Sequence, residues 1–498
     1  MGKTNNTPSK SYLLLIFSIS LAIFMSSLDG TIVNIALPTI SESFGVSTSA
    51  VSWVATAYLL VMAGCVLIFG KISDFIGYKK IFLSGFVVFT LGSFACGFLP
   101  ELLDSFYALV GSRAFQGIGG AMISAIAPAM VTAFIPMEQK GKAMGIIMTV
   151  AALGTALGPT IGGLLTQYVS WHWIFFINVP IGIVSVIIGM KAIPGQSDRN
   201  TALSGFDRSG AAFIFIGLAA LLFAVSEGEV LGWTSPAILT SGAVAAVSLG
   251  LFVWRELHTS EPLLELRLFG KRNFLFTNLI LVLVFFGFSG INYLLPFYLQ
   301  YVLGYETSAA GMVLTSLSFA MMVSGLAAGL LYNRLGGRIL AIAAAAIIAA
   351  GYYMMTHLQA NTTIAYVVAA LIVIGFGLGL MVTPVSNMIM NSVAKRYQGM
   401  VSSLTSLERF APMTIGIAIF NLIFVQGVLR IAENRAITMQ SPVEVKMHLL
   451  SAGFDIAFFG AFIVAVVVLV LAFLARQEVH PDYLDAGDEG APEVGMMI

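Results

Sequence analysis

The stretch GKISDFIGYKK, Gly70 to Lys80, reveals how the chain is organised, because a related stretch follows a later apolar run. That second stretch is GLLYNRLGGR, Gly329 to Arg338. Four positions correspond in the two: Gly70 with Gly329, Asp74 with Asn333, Gly77 with Gly336, and Lys79 with Arg338. Each stretch follows the second helix of a possible six-helix set. We therefore predict two related halves, which is typical of rocking-type secondary transporters.

The composition indicates that the chain lies in a lipid bilayer. It has 498 residues, of which 58% are hydrophobic and 10% are charged. A soluble protein carries roughly a quarter of charged residues. Apolar runs of about 20 residues, the length needed to cross a bilayer as a helix, recur from end to end. Short strands of alternating polarity, which a membrane β-barrel requires, do not occur in the sequence. The predicted fold class is an all-α polytopic membrane protein.

The apolar runs predict fourteen transmembrane helices, over 11–37, 50–70, 81–99, 106–135, 143–167, 173–193, 210–226, 236–254, 274–303, 309–332, 339–357, 362–390, 400–425 and 453–475. Six belong to an N-terminal bundle over 11–193 and six to a C-terminal bundle over 274–475. The two between them form an inserted pair over 210–254. An acidic tail over 476–498 follows the last helix.

The basic residues orient these helices. With the N-terminus in the cytoplasm, 19 of the 24 lysines and arginines fall in cytoplasmic loops and tails. Arg430, Arg435 and Lys446 lie in one outer loop, and Arg113 and Arg409 lie within helices. Such a bias is what the positive-inside rule requires. We predict that both termini are cytoplasmic.

Several function classes are disfavoured by the sequence. The formal net charge of zero indicates no nucleic-acid partner. Cys65 and Cys96 lie in apolar runs, so a disulfide framework is not expected. No GxxxxGK[ST], HExxH or CxxC pattern occurs, which argues against ATP-driven pumping, a metal site and an embedded hydrolase. We therefore expect neither an enzyme nor a metal site.

Five motifs resemble those of one transporter family: SSLDGTIVNIALP (Ser26 to Pro38), GKISDFIGYKK, RAFQGIGGA (Arg113 to Ala121), GTALGPTIGG (Gly154 to Gly163) and WHWIFFINVPIG (Trp171 to Gly182). They resemble the major facilitator superfamily, and within it the fourteen-helix drug:proton antiporter branch. Phe75, Tyr78 and His172 depart from the usual basic residues of these motifs.

The resemblance implies a cell-membrane exporter of hydrophobic, often cationic, small molecules. Protons are the coupling ion and no other cofactor is implied. The partners are such solutes and the lipid bilayer, and the need for a periplasmic adaptor stays open. Two alternatives stay open as well: transport of one specific metabolite or lipid, and a transport-dead sensor or scaffold. The buried charges argue against a scaffold, which has no need of them.

Three ionisable residues are candidates for proton coupling: Asp29, Arg113 and Glu408. A charged side chain near the bilayer centre costs about 2.5–3.5 kcal/mol, so such residues usually face a cavity or a partner. Asp29 shares a helix face only with apolar residues, so its partner must come from another helix or from water. The alternatives are structural hydrogen bonds for Asp29 and Arg113, and an interfacial position for Glu408.

Two glycine-bearing segments are candidates for conformational roles. Gly154, Gly158 and Gly162 recur every four residues, which lets another helix approach closely. Pro159 removes a backbone hydrogen bond and favours a kink. Gly163 is a further candidate in the same segment. In the loop after the second helix, the corresponding candidates are Gly70, Asp74, Gly77 and Lys79. Asp74 could cap a helix or lock an inner gate, or form a solvated ion pair worth about 0–1 kcal/mol.

The weaker candidates for the solute cavity are polar or aromatic residues within helices. They are Asn34, Gln116, Tyr293, Tyr298 and Gln300. Tyr298 could equally belong to an interfacial aromatic belt. Asn34 and Pro38 could instead be packing and helix-end features.

Overall fold

The computed structural model describes residues 10–135, 137–194, 207–259, 262–394, 397–435 and 441–483. Over these residues the chain forms fourteen α-helices and no strand. The helices are α1 (Lys10–Phe44), α2 (Thr48–Ile76), α3 (Tyr78–Leu102), α4 (Phe106–Phe134), α5 (Met137–Tyr168), α6 (Trp173–Phe176), α7 (Asn178–Ala192), α8 (Arg208–Leu231), α9 (Pro236–His258), α10 (Arg272–Phe297), α11 (Thr307–Met355), α12 (Ile364–Asn391), α13 (Gln398–Asn434) and α14 (Val443–Leu474). Short 3-10 turns occupy Leu266–Gly270 and Pro481–Tyr483, and a π-helical turn occupies Tyr298–Val302.

The predicted number of membrane spans is confirmed, since fourteen segments of the described chain are long and apolar enough to cross a bilayer. Helices α6 and α7 together make one span, whereas α11 makes two, Thr307–Tyr332 and Arg334–Met355. The two arms of α11 meet near Gly336, which has φ 76° and ψ 158°. Its counterpart in the repeated stretch, Gly77, has φ 88° between α2 and α3. Both positions need a backbone conformation that is essentially restricted to glycine.

The first helix is longer than predicted, because α1 continues to Phe44 with Pro38 inside it. The interpretation of Pro38 as a helix-end feature is therefore wrong. A proline removes a backbone donor, but a membrane helix tolerates this where neighbouring helices bond nearby carbonyls. Here the Gln300 amide donates to the carbonyl of Ile35 at 3.1 Å, and the Tyr301 hydroxyl donates to that of Pro38 at 3.2 Å.

The helices pack as two groups with an edge pair. Within α1–α7, α1 lies along α5, α2 along α4, and α3 along α4 and α7. Within α10–α14, the two arms of α11 pack on α12, and α10 packs on α13 and α14. The two groups meet along two seams, α2 with α13 and α5 with α11. The even number of crossings brings the start of α1 and the end of α14 to one side of the membrane, which we call the terminal face.

The inserted pair α8–α9 lies over the α2–α13 seam, because α8 packs on both of those helices. The Trp53 indole donates to the Glu227 carboxylate at 2.6 Å and ties α2 to α8. At the other end, Asp207 caps α8 by accepting from the Gly210 amide at 3.0 Å and pairs with Arg255 of α9 at 3.2 Å. The outer helix α9 exposes most of its apolar side chains, as expected for a lipid-facing helix.

The glycine stripe of α5 lies against α1. A Cβ atom added at Gly154 would lie 2.7 Å from the carbonyl oxygen of Phe24, and one added at Gly162 would lie 2.6 Å from that of Ile32. Any larger residue at these positions would push α1 away. The stripe therefore fixes α1, which carries Asp29, tightly to α5.

Candidate functional site

The centre of the N-terminal group contains a buried ion pair. The Asp29 carboxylate of α1 accepts from the Arg113 guanidinium of α4 at 2.8 Å, between Oδ2 and Nη1. Both side chains are essentially inaccessible to solvent. Sequence reasoning placed each residue in the membrane but did not pair them. The structure brings them together across 84 residues of chain.

Two amides complete the hydrogen bonding of the Asp29 carboxylate. Gln116 Nε2 and Asn178 Nδ2 each donate to Asp29 Oδ1 at 3.0 Å. The guanidinium is held equally well, because its Nε donates to the carbonyl of Val54 at 3.0 Å and its Nη1 also donates to Gln116. A buried ion pair is tolerated only when its remaining hydrogen-bonding groups are satisfied in this way.

Tyr58 of α2 lies against the same guanidinium. Its ring centre is 4.2 Å from Cζ of Arg113, a cation–π distance. The Phe175 ring is farther, at 5.6 Å. Four helices and the α6 turn thus converge on one charge pair, whose net charge is zero while Asp29 is ionised.

Asn178 is a functional candidate that sequence reasoning missed. It is fully buried at the start of α7, where its amide also donates to Ser93 Oγ at 3.1 Å. Ser93 in turn donates to the carbonyl of Phe175 at 2.8 Å, which fixes the chain. The available signal was an amide within the apolar motif WHWIFFINVPIG. Because an amide is neutral, it stands out less in an apolar run than Asp29 does.

A small cavity lies beside the ion pair, between the two helix groups. Its wall consists of Gly30, Val33, Asn34, Ala55, Tyr58, Leu59 and Arg113 from one group and Ser289, Asn292, Met413 and Ile417 from the other. It has room for about one water molecule. Asp29 itself is not on the wall, whereas its partner Arg113 is. Of the residues predicted for the cavity, Asn34 lines its wall. Gln116 does not, and its amide instead donates to Asp29.

The remaining predicted cavity residues lie away from it. The Tyr293 hydroxyl donates to the carbonyl of Thr48 at the start of α2, so it joins the two groups at the face opposite the terminal face. Gln300 also joins the two groups at this face, because its amide donates to the Ile35 carbonyl of α1. Tyr298 stays within the C-terminal group, where its hydroxyl donates to the carbonyl of Gln359 at 2.7 Å.

Helices α5 and α11 meet at this opposite face through direct backbone contact. A Cβ atom added at Gly163 would lie 2.6 Å from the carbonyl oxygen of Thr307, and one added at Gly311 would meet the carbonyl of Pro159. The hydroxyls of Thr160 and Thr315 lie 2.7 Å apart. We call these α5–α11 contacts, together with the bonds from Tyr293, Gln300 and Tyr301, the gate.

The gate is sealed at its outer edge by polar side chains. Gln167 of α5 accepts from the Ser308 amide at 2.9 Å and donates to the Glu306 carboxylate at 2.5 Å. The Asn421 amide donates to Ser49 Oγ at 2.9 Å on the other seam. The two bonds of Gln167 are at least partly exposed, so water can replace them when the gate opens, whereas the Asn421–Ser49 bond is buried.

At the terminal face, two of the residues predicted in the loop after the second helix make contacts that the structure describes. Lys79 contacts its own helix group, and Gly70 contacts α13 across one seam. Lys79 donates to the carbonyls of Met190 and Ile193 at 2.9 and 2.7 Å, which stabilises the end of α7. Gly70 lies against the α2–α13 seam, where an added Cβ would be 3.0 Å from Ser403 Oγ. The Asp74 side chain lies outside the described part of the chain, so its predicted role stays a prediction.

Glu408 and Arg409 point in different directions from α13. Glu408 is buried, and within the described chain its Oε2 has no hydrogen-bond partner. It shares a helix face with Ala411 and Ile415, which line a small apolar cavity between α2, α8 and α13. Arg409 is exposed and shares a face with Met413 of the central cavity. Glu408 is thus oriented toward the inserted pair and Arg409 toward the central space.

His172, the residue that departs from the motif, lies outside the spans at the opposite face. Its ring stacks on Trp171 at 3.6 Å between ring centres and bonds Ser170 Oγ at 2.7 Å. Burial lowers the pKa of His172, and the nearby Glu101 carboxylate opposes this in part. The imidazole is therefore neutral near pH 7, unlike an arginine.

The sequence profile of the Major Facilitator Superfamily matches residues 19–417. The chain belongs to this superfamily. It is therefore a membrane-embedded, multi-pass transport protein. Across the described residues, no group of three or more His, Cys, Asp or Glu side chains could hold a metal ion.

Proteins similar in sequence to this chain are named for different functions. The chain is 33% identical over 412 residues to multidrug resistance protein Stp of Mycobacterium tuberculosis (strain ATCC 25618 / H37Rv), covering 82% of this chain and 75% of Stp. It is 32% identical over 416 residues to riboflavin transporter RibZ of Clostridioides difficile (strain 630), covering 83% of this chain and 88% of RibZ. A solved D-xylose-proton symporter shares the fold, with TM-score 0.64 at 12% identity over 94% of this chain and 99% of the symporter.

Proposed function

We propose that this protein is a proton-coupled secondary transporter that exports hydrophobic small molecules by alternating access. The observation that carries the proposal is the buried Asp29–Arg113 pair beside a cavity that the gate closes at one face. The 33% identity to a protein named for multidrug resistance supports the solute class. Protons are the proposed coupling ion, with no other cofactor.

The orientation follows from the distribution of basic residues, which puts the terminal face in the cytoplasm. With that orientation, the gate seals the outer face. Arg409 lies about 16 Å along α13 from the start of that helix at the terminal face, and its side chain is nevertheless exposed. We infer that a water-filled space reaches it from the cytoplasmic side, so that the conformation described here is open to the inside.

In this scheme, the coupling proton binds to the Asp29 carboxylate. While ionised, the carboxylate holds the Arg113 guanidinium and the Gln116 and Asn178 amides. A proton on Asp29 Oδ2 replaces the ion pair by a weaker contact and leaves a positive charge that must find another partner. Arg113 lies on the cavity wall, so it then turns its hydrogen bonds toward the space that the solute occupies.

The cavity wall supports hydrophobic solutes. Val33, Leu59, Met413 and Ile417 supply apolar surface from both helix groups, and Asn34, Ser289 and Asn292 supply a few polar groups. A methionine in such a wall adapts to solutes of different shape. The family resemblance implies that many of these solutes are cations, whereas Asp29 balances the charge of Arg113 and the exposed Arg409 adds a positive charge on α13.

The test is transport by the purified full chain in proteoliposomes under an imposed pH gradient. We expect accumulation of a lipophilic dye that depends on the gradient and is lost in Asp29→Asn, while Asp104→Asn, an exposed acid in the α3–α4 connection, transports normally. Removing one partner of a buried pair costs about 3–5 kcal/mol, so stability must be measured as well. The double variant Asp29→Asn/Arg113→Gln restores neutrality and should fold but not couple. Gradient-driven flux in a folded Asp29→Asn would refute the coupling role.

A second candidate function is transport of one specific metabolite, and the similarity to RibZ favours it. It predicts saturable flux of a single compound, for which riboflavin is the first to test, and little flux of unrelated dyes. If neither class of solute moves in the vesicles, the sensor or scaffold alternative is favoured instead.

A further inference from the structure

We propose that Arg409 forms a binding site for the negatively charged or hydrogen-bond-accepting end of an aromatic solute, and that the transporter prefers such solutes to permanent cations. This rests on the proposed transport function. It goes further by assigning the charge of the solute and the residue that recognises it.

The first step is the position of Arg409. Seen along α13, it shares a face with Ser402, Ser406 and Met413, which follow the spacing of successive turns. The first two are partly exposed and Met413 lines the central cavity. Ile417, two turns beyond Arg409 on α13, also lines that cavity. Arg409 therefore faces the solute path and not the lipid.

The second step is the lack of a charge partner. Among the described residues, no carboxylate lies within ion-pair distance of Arg409. Its contacts are aromatic, with the Phe285 and Phe410 rings at 5.8 and 5.7 Å from Cζ. An exposed guanidinium inside the membrane is costly, and such residues usually pair with a group of the solute or the pathway.

The third step is the charge of the region formed by the central cavity and the face of α13 that carries Arg409. Asp29 is buried and uses both carboxylate oxygens on donors of its own helix group. Glu408 is buried on another face of α13. Among the described residues, the charged groups beside the central cavity and on the exposed face of α13 are thus the guanidiniums of Arg113 and Arg409. A permanent cation meets the positive charge of Arg409 there, since Asp29 balances the charge of Arg113, whereas a carboxylate or phenolate meets a fork of donors.

The fourth step is the shape of the site. The partly exposed Phe285 ring, 5.8 Å from Cζ of Arg409, offers a flat apolar surface beside the guanidinium. An aromatic ring of the solute can stack there while its anionic group reaches Arg409. The structure therefore favours planar aromatic anions, and planar neutral molecules rich in carbonyl groups, as solutes.

The experiment compares two xanthene dyes of similar shape and opposite charge, fluorescein and rhodamine 123. Equilibrium binding to the detergent-purified full chain is followed by fluorescence anisotropy, and gradient-driven flux is followed in proteoliposomes. We expect tighter binding of fluorescein than of rhodamine 123. Arg409→Gln should weaken fluorescein binding about 10- to 100-fold, the size of a lost charge-assisted contact. Arg409→Lys should keep the preference for the anion, and Arg409→Glu should reverse it.

The matched control is Arg430→Gln, which removes the same charge from the exposed far end of α13 and should leave both affinities unchanged. Tighter binding of rhodamine 123 by the native chain, or an unchanged charge preference in a folded Arg409→Gln, overturns the proposal. Because binding is measured apart from flux, these results are distinct from a failure of proton coupling, which would appear as gradient-independent flux despite normal binding.

Discussion

Adding a single methyl group at Gly163 should shift the conformational equilibrium away from the closed gate. The Cβ of an alanine would lie 2.6 Å from the carbonyl oxygen of Thr307 and 2.9 Å from the Cα of Ser308. Ordinary contact begins at 3.4 Å, so α5 and α11 must separate locally by about 0.8 Å. Overpacking of this kind costs about 1–3 kcal/mol. The ratio of closed to open gate should therefore fall about 5- to 150-fold.

Disulfide formation across the gate measures this ratio. Thr160→Cys and Thr315→Cys would place two thiols where the native hydroxyls lie 2.7 Å apart. Cys65 and Cys96 are free and are replaced by alanine first. The rate of oxidative cross-linking then reports the closed fraction. It should be lower by the stated factor in Gly163→Ala than in the parent.

The neighbouring glycine supplies a matched control. A Cβ at Gly162 would lie 2.6 Å from the carbonyl of Ile32, the same overlap, but within the N-terminal group. Gly162→Ala should lower the thermal stability and should lower the cross-linking rate less than Gly163→Ala does, because it displaces α1 and not the α5–α11 contact directly. Equal cross-linking in Gly163→Ala and the parent would show that the gate absorbs the methyl group. Equal losses in both variants would show that closure is not specific to the α5–α11 contact.

Two further predictions concern polar contacts away from the gate. Asn178→Leu removes one of the three donors to the Asp29 carboxylate, a bond worth about 1.5–3 kcal/mol, so thermal stability and gradient-driven flux should both fall. Unchanged flux and melting temperature in the purified variant contradict this. Trp53→Phe removes the donor to Glu227 and should detach the end of α8 from α2, raising protease cleavage in the α8–α9 connection (232–235) with little loss of flux. Trp254→Phe, on the lipid-facing side of α9, should change neither.

The architecture was predictable from the sequence because a bilayer leaves few alternatives. Backbone groups in lipid must be satisfied within helices, so each long apolar run had to be a span. The end of α1 was not predictable in the same way. Whether a helix stops at Pro38 depends on whether another helix bonds the nearby carbonyls, and here Gln300 and Tyr301 come from the other half of the chain.

The site was predictable only in its charged members. Asp29 and Arg113 stand out because an ionisable group in an apolar run is costly. That they bind each other could not be inferred, since the pairing depends on how α1 and α4 pack. Asn178 was missed because a neutral amide also occurs as a packing residue. The direction of Arg409 depends on how α13 packs against the other helices, and the serines on its face, Ser402 and Ser406, do not show which neighbour that face meets.

The arrangement along α1 explains how a proton at Asp29 could be sensed at the gate. Two residues beyond Asp29, the Thr31 hydroxyl donates to the carbonyl of Thr155 at 3.3 Å, and one residue later Ile32 lies against Gly162 of the α5 stripe. One turn farther, the Ile35 carbonyl accepts from Gln300 of the gate. Asp29, the α5 contact and the gate thus lie on successive turns of one helix. Because the close packing of α1 and α5 leaves no room for independent movement, a change in the Asp29–Arg113 pair moves both helices together. Arg113 lies on α4, which does not form the gate contacts described above. Coupling should therefore depend on the α1–α5 contact more than on any contact that α4 makes outside the ion pair.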